Sequence, residues 1–223
     1  GRLADALFEG LVTLDPETLV PRPGVARSWT VSEDGRTYTF QLRKTARWTN
    51  GEPVSARDFR RSWKRVLTPD TASEYAYQLY YVAGAEDFHR KKTEDFGAVG
   101  VTVEDAHTLV VRLRAPCAYF LELCAFHTLL PVPVDVIEAY GDRWTRPEHI
   151  VGNGAFQLEA WKPREKIVLA KSPTYWDRDF VKLDKVTVLP YEDQNTAYKL
   201  FLEGQVHWLS AVPQAKIEEV KRH

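Results

Sequence analysis

The residue types that ordinarily do chemistry are present in this chain, but they are dispersed. Six histidines stand at positions 89, 107, 127, 149, 207 and 223, without metal-ligand spacing. Cys117 and Cys124 form no CxxC motif. Were the stretch between them helical, they would lie about 10 Å apart along the axis. A disulfide spans Cα atoms within roughly 7 Å, so the pattern predicts two buried thiols. Acid pairs that could share general acid–base work are Glu33-Asp34, Glu104-Asp105 and Glu192-Asp193. Each falls at a predicted turn or helix cap, where short acids accept backbone hydrogen bonds. No nucleotide-binding loop, nucleophile elbow or zinc-helix motif occurs, and Gly152-Asn153-Gly154, read as a turn, is too short to cradle a phosphate by itself. The residues thus give no convergent catalytic site, and neither a cofactor nor a metal is expected. Aromatic side chains are abundant instead: seven Trp, ten Tyr and ten Phe. Most belong in a core. The cluster Tyr75, Tyr77, Tyr80 and Tyr81 could also line a cleft for an organic ligand, which needs apolar walls and a few polar anchors.

Several elements would position these residues. Trp29 and Val31 run into the turn Ser32-Glu33-Asp34-Gly35, after which Tyr38, Phe40 and Leu42 alternate with polar residues, predicting a β-hairpin with one buried face. Val99, Val101 and Val103, a turn at 104–107, then Leu109, Val111 and Leu113 predict a second hairpin. Between them, Ser55 with an acid three residues on predicts the start of a helix whose buried stripe is Ala56, Phe59, Trp63, Val66 and Leu67. Its other face carries Arg57, Arg60, Arg61, Lys64 and Arg65, read as a solvated surface. Residues 73–82 and the stretch from Pro116 to about Phe126 are expected to be helical, and 86–95 a charged surface segment. Pro131-Val132-Pro133 reads as a rigid extended connector. Beyond it a short helix over 134–140 stopped by Gly141, strands near 156–160, 167–169 and 186–189, a helix capped by Asp193 and stopped by Gly204, a short strand at 206–209 and a helix opened by Pro213 are predicted. Tyr175 and Trp176, in the loop after the second of those strands, are read as core.

Over 223 residues the formal net charge is −1, with 44% hydrophobic and 27% charged residues, a balance that fits a folded α/β protein with mixed sheets and excludes a disordered or disulfide-stapled chain. It gives no electrostatic reason to expect nucleic acid as a partner. No apolar run approaches the ~20 residues that span a bilayer, and the sequence contains no Met, so the chain is not expected to begin at a natural translation start: either a leader was removed or it is a piece of something longer.

Pro23-Gly24-Val25-Ala26-Arg27-Ser28-Trp29, the stretch Asp34 to Lys44, and Trp48-Thr49-Asn50-Gly51-Glu52-Pro53-Val54-Ser55-Ala56-Arg57-Asp58-Phe59 resemble the signature of the bacterial family 5 solute-binding proteins. The segments 69–76, Pro131-Val132-Pro133, Asn153-Gly154-Ala155-Phe156 and Ser172-Pro173-Thr174-Tyr175-Trp176 continue the resemblance in the same order. It implies a periplasmic-binding-protein-like lobe made of two subdomains, the second lobe being absent. Residues 11–133 would form a smaller inserted subdomain, and 1–10 with 134–223 the ligand-binding subdomain around it. It implies a substrate-binding component of an ABC importer that captures peptides outside the cytoplasmic membrane, periplasmic or extracellular, with or without a lipid anchor, monomeric, and not an enzyme. Its partners would be a peptide ligand and a membrane permease, without nucleic acid. Alternatives are the solute-sensing domain of a transcription regulator, or a family member that binds nickel complexes or sugars. Position by position, Tyr75 matches a peptide-contacting Tyr and Ser210 falls near a ligand-facing position. Gly204-Gln205-Val206-His207 departs from the family's usual Gly-Glu-(Ile/Val)-Asp.

Overall fold

The computed structural model describes residues 2–221; Gly1, Arg222 and His223 lie outside them. The elements follow in chain order as α1 (Arg2–Leu7), β1 (Val12–Leu14), β2 (Pro21–Pro23), β3 (Ala26–Val31), β4 (Thr37–Leu42), α2 (Ala56–Leu67), α3 (Ala85–His89), β5 (Val101–Asp105), β6 (Thr108–Arg112), α4 (Phe120–Cys124), α5 (Val134–Tyr140), β7 (Phe156–Lys162), β8 (Lys166–Lys171), β9 (Lys185–Val188), α6 (Gln194–Leu202) and α7 (Ile217–Val220).

The two expected hairpins join into one antiparallel sheet of order β3-β4-β6-β5, with Phe40 opposite Leu109 and Tyr38 opposite Val111. Tyr38, Phe40 and Leu42 are buried, so the period-two alternation places one face inward as expected. Both hairpin turns use their acids structurally. Asp34 accepts from the Ser32 hydroxyl at 2.5 Å and the Arg36 N–H at 3.1 Å, while Asp105 accepts from the His107 N–H at 2.7 Å and the Thr108 hydroxyl at 2.9 Å.

Helix α2 packs on β5. The Asp58 carboxylate accepts from the Ser55 N–H at 2.7 Å and its hydroxyl at 2.8 Å, which fixes the helix start. Phe59, Trp63 and Leu67 are fully buried, and the Trp63 indole donates to the Leu129 carbonyl at 2.9 Å. The basic face is only partly solvated. Arg61 pairs with Asp135 at 2.7 Å and Glu138 at 3.3 Å of α5, and Arg60 donates to the Val101 carbonyl at 3.1 Å. Ser62 accepts from the Val132 N–H at 2.8 Å, so the Pro131–Pro133 connector is held against α2.

Three expected elements differ. Residues 76–81 form a 3-10 helix, because their buried side chains, Ala76, Leu79 and Val82, recur every three residues and match its three-residue turn. The expected helix after Pro116 shortens to α4, which buries Phe120 and Cys124 one turn apart. No strand forms at 206–209, where the chain bends and Trp208 lies exposed. Cys117 and Cys124 are free and buried, as the spacing predicts, and burial pushes the Cys124 thiol well up, which keeps it unreactive.

The second main sheet, β7-β8-β9, is antiparallel throughout. The Asp193 carboxylate accepts from the Thr196 N–H at 2.7 Å and caps α6, whose Tyr198 is buried. The chain leaves α6 through Gly204 at φ +73°. Pro213 stands just before the first turn of the last helical segment. Among the described residues, no helix is long and apolar enough to cross a membrane.

Candidate functional site

Two places in the fold gather polar side chains against apolar walls. The first is built around Glu9, an acid inside the otherwise apolar stretch Leu7–Val12. The stretch is pinned from the other end of the chain. Asn153 accepts the Glu9 N–H through Oδ1 at 3.0 Å and donates through Nδ2 to the Glu9 carbonyl at 3.0 Å. Its flanking glycines explain the Gly-Asn-Gly sequence. The Gly154 N–H donates to the Leu7 carbonyl at 2.9 Å, and a Cβ at Gly154 would stand 2.6 Å from the Ala6 carbonyl oxygen. The segment read from sequence as a turn is therefore a docking strip for the end of α1.

Glu9 is 7% exposed. Oε1 accepts from the Tyr175 hydroxyl at 2.5 Å and Oε2 from the Trp176 indole N–H at 2.6 Å. The Arg43 guanidinium lies over the Trp176 ring, 3.5 Å from its centroid, and donates through Nε to the Gly24 carbonyl at 2.8 Å. Burial raises the Glu9 carboxyl to about 7, against the lowering effect of the two donors and Arg43. Tyr175 and Trp176 are thus not apolar core, as their size suggests, but half-buried donors to a carboxylate. Glu9 escapes a sequence reading that searches for clusters, because its partners stand 166 and 167 residues away. The one local signal is a lone acid in an apolar run, which a protein keeps only when something receives it. Glu9 and Tyr175 line one side of a half-open cavity of about 380 Å³ that also meets Asp5, Phe8, Leu14 and Leu130.

The second place holds Tyr75. It lies at the start of the 3-10 helix, 40% exposed, edge-on to Phe126 and His127 with centroids 5.6 and 5.7 Å away. Tyr75 and His127 border a groove of about 400 Å³ that Arg65 and Val66 of α2 also line. Arg65, Glu74 and His127 supply charge and hydrogen bonding, and Tyr75, Val66 and Leu130 supply apolar contact. Ser210 is exposed in the loop after α6 and is not among the residues lining either cavity. Among the described residues, no group of three or more His, Cys, Asp or Glu could hold a metal ion.

The fold is that of one lobe of the periplasmic binding proteins, since the structure superimposes on that of an oligopeptide-binding protein of Borrelia burgdorferi with a TM-score of 0.95 at 34% identity, over 100% of this chain and 45% of the other. The profile of the bacterial extracellular solute-binding proteins, family 5 Middle, matches residues 20–223. The chain belongs to this family. It is 42% identical over 202 residues to the periplasmic oligopeptide-binding protein OppA of Escherichia coli, a match that takes in 90% of this chain and 37% of that protein. It is 37% identical over 218 residues to the probable deoxycholate-binding periplasmic protein YgiS of Escherichia coli, covering 97% of this chain and 40% of the relative. The structure superimposes on that of Haemophilus influenzae OppA in complex with the peptide RPPGFSPFR with a TM-score of 0.92 at 36% identity, over 99% of this chain and 43% of the other. The chain thus spans about two fifths of the length of the relatives it matches.

Proposed function

We propose that this chain forms part of one wall of a cleft that captures peptides outside the cytoplasmic membrane and delivers them to the permease of an ABC importer. The observation that carries the reading is the near-complete overlay of this chain on a lobe of a peptide-bound oligopeptide-binding protein. A relative named as a probable deoxycholate-binding protein is almost as similar to this chain, so the ligand class is read from side chains lining the cleft rather than from the fold. Here Tyr75 supports a peptide ligand. A half-exposed aromatic beside a groove offers a face to extended backbone and to side chains of many kinds, without demanding one of them.

Tyr75 is the proposed peptide contact on this wall, and Ser210 a second, from the loop after α6. In the same reading 11–133 is the smaller inserted subdomain, and 1–10 with 134–223 the subdomain that bears the ligand. The protein acts as a monomeric binding protein, not as an enzyme, in the periplasm or held by lipid on the outer face of the membrane. Closure of two lobes on the ligand is a hinge motion that ligand contacts to both lobes would favour.

The test is calorimetry and thermal unfolding of this chain carried in a protein of its relatives' full length, against a set of short peptides. Binding by at least one peptide set, weakened several-fold by Tyr75→Ala, is the expected result. Unchanged unfolding with every peptide, together with stabilisation by a bile acid, sugar or nickel complex, would overturn the peptide reading.

A further inference from the structure

The Glu9 cluster ties together parts of the chain that no secondary structure connects. The carboxyl comes from the segment after α1, Tyr175 and Trp176 from the loop after β8, and Arg43 from the end of β4. Among the described residues, four charged or titratable groups bear on it. Tyr175 donates to it, Arg43 and Asp177 act on it through space, and Asp5 of α1 lines the same cavity.

The two donors are chemically unequal. An indole N–H only donates, so Oε2 opposite Trp176 must stay an acceptor in any protonation state. A phenol both donates and accepts. The 2.5 Å contact between Oε1 and the Tyr175 oxygen therefore suits either arrangement. When the carboxyl is ionised, Tyr175 donates to it. When it takes a proton from solvent, that proton sits on Oε1 and is donated to Tyr175. Both states are hydrogen-bonded, and they differ in charge. The ionised one keeps a negative charge away from water, with Arg43 engaged on the indole and on the Gly24 carbonyl instead of on the carboxylate.

We propose that Glu9 is a proton-operated latch: it binds the segment after α1 to the 172–177 loop most firmly while its carboxyl carries a proton, and loosens that grip when the proton leaves. The sign follows from linkage. An ordinary Glu in the unfolded chain ionises near 4.3, whereas burial holds Glu9 protonated up to about 7. Between these values the closed cluster binds a proton that an opened one has lost, so closure is favoured at the acid end and weakens as pH rises through neutrality. The latch does not depend on the identity of any ligand.

Glu9→Gln is the decisive variant, because its amide copies the protonated acid: the oxygen accepts from Trp176 and the NH2 donates to Tyr175. Thermal unfolding of the 223-residue chain is measured from pH 5 to pH 8.5 for both forms. The two melt alike at the acid end, and wild type falls behind the variant by several degrees at the alkaline end. An offset of the same size at every pH would overturn the proposal. Should Glu9→Gln not fold, the Trp176 indole N–H resonance of the wild type, assigned by its loss in Trp176→Phe, decides alone. It titrates with a midpoint near neutrality if the latch exists, and a flat profile across the range refutes it.

Discussion

The part of the chain around β3-β4-β6-β5 and the part after the Pro131–Pro133 connector are both antiparallel sheets with helices, yet they hold together differently. The first encloses Phe40, Phe59, Trp63, Leu79, Leu109 and Phe120, all at 1% exposure or less. Beyond the connector, the buried aliphatic and aromatic side chains among the described residues are Val168, Leu169 and Tyr198, with Pro213. Trp161, Phe180, Leu183, Leu202 and Trp208 there are each half or more exposed. The first part draws its stability from a filled core. The second has few fully buried side chains of its own: Phe156, Leu158, Ile167 and Val186 pack partly buried against the same cluster, and polar ties hold it to the rest, through Asn153, Tyr175 and Trp176 on Glu9 and through the Thr49 N–H on the Gly152 carbonyl. An alternating strand pattern alone does not say which kind of support a sheet has.

The comparison can be broken most forcefully at Trp63. Trp63→Ala removes the largest fully buried ring and the hydrogen bond to Leu129, and is expected to cost about 3–5 kcal/mol in denaturant unfolding. Asn153→Ala is the sharper probe. It leaves the Glu9 N–H and carbonyl buried without partners, at about 1–3 kcal/mol, and hydrogen exchange should show β7 and β8 losing protection while β4 and β6 keep theirs. Equal loss in both sheets would mean that they unfold as one unit. The smallest effect belongs to Trp161→Ala. The ring is 50% exposed, and the change should stay within about 0.5 kcal/mol, whereas a larger loss would reveal a support for β7 that the burial does not show.

What could be read from the residues follows the range of the interactions. Hairpins, the α2 start and the Asp193 cap rest on neighbours within a few positions, and each is found where its acids and alternation place it. Helix type was less legible. The stretch 76–81 has good helical residues, but the spacing of what it buries against α2 and α3 tightens it to a 3-10 turn. The Glu9 cluster left a single trace, a lone acid in an apolar run, and nothing local marks Tyr175 and Trp176 as its donors. Tyr75 was visible through the family resemblance and stands exposed beside a groove, whereas Ser210 has only its exposed loop to recommend it.

The Asn153 bridge also bears on the order in which the molecule can assemble. Its two hydrogen bonds close a loop of 144 residues, and those of Tyr175 and Trp176 loops of 166 and 167. The β3–β4 and β5–β6 hairpins close over a handful of residues each. While the polypeptide is still emerging from a ribosome, the central sheet has all its strands long before α1 has anything to grip. Helix α1 is thus made before the central sheet but seated after it, once the chain has grown past Trp176.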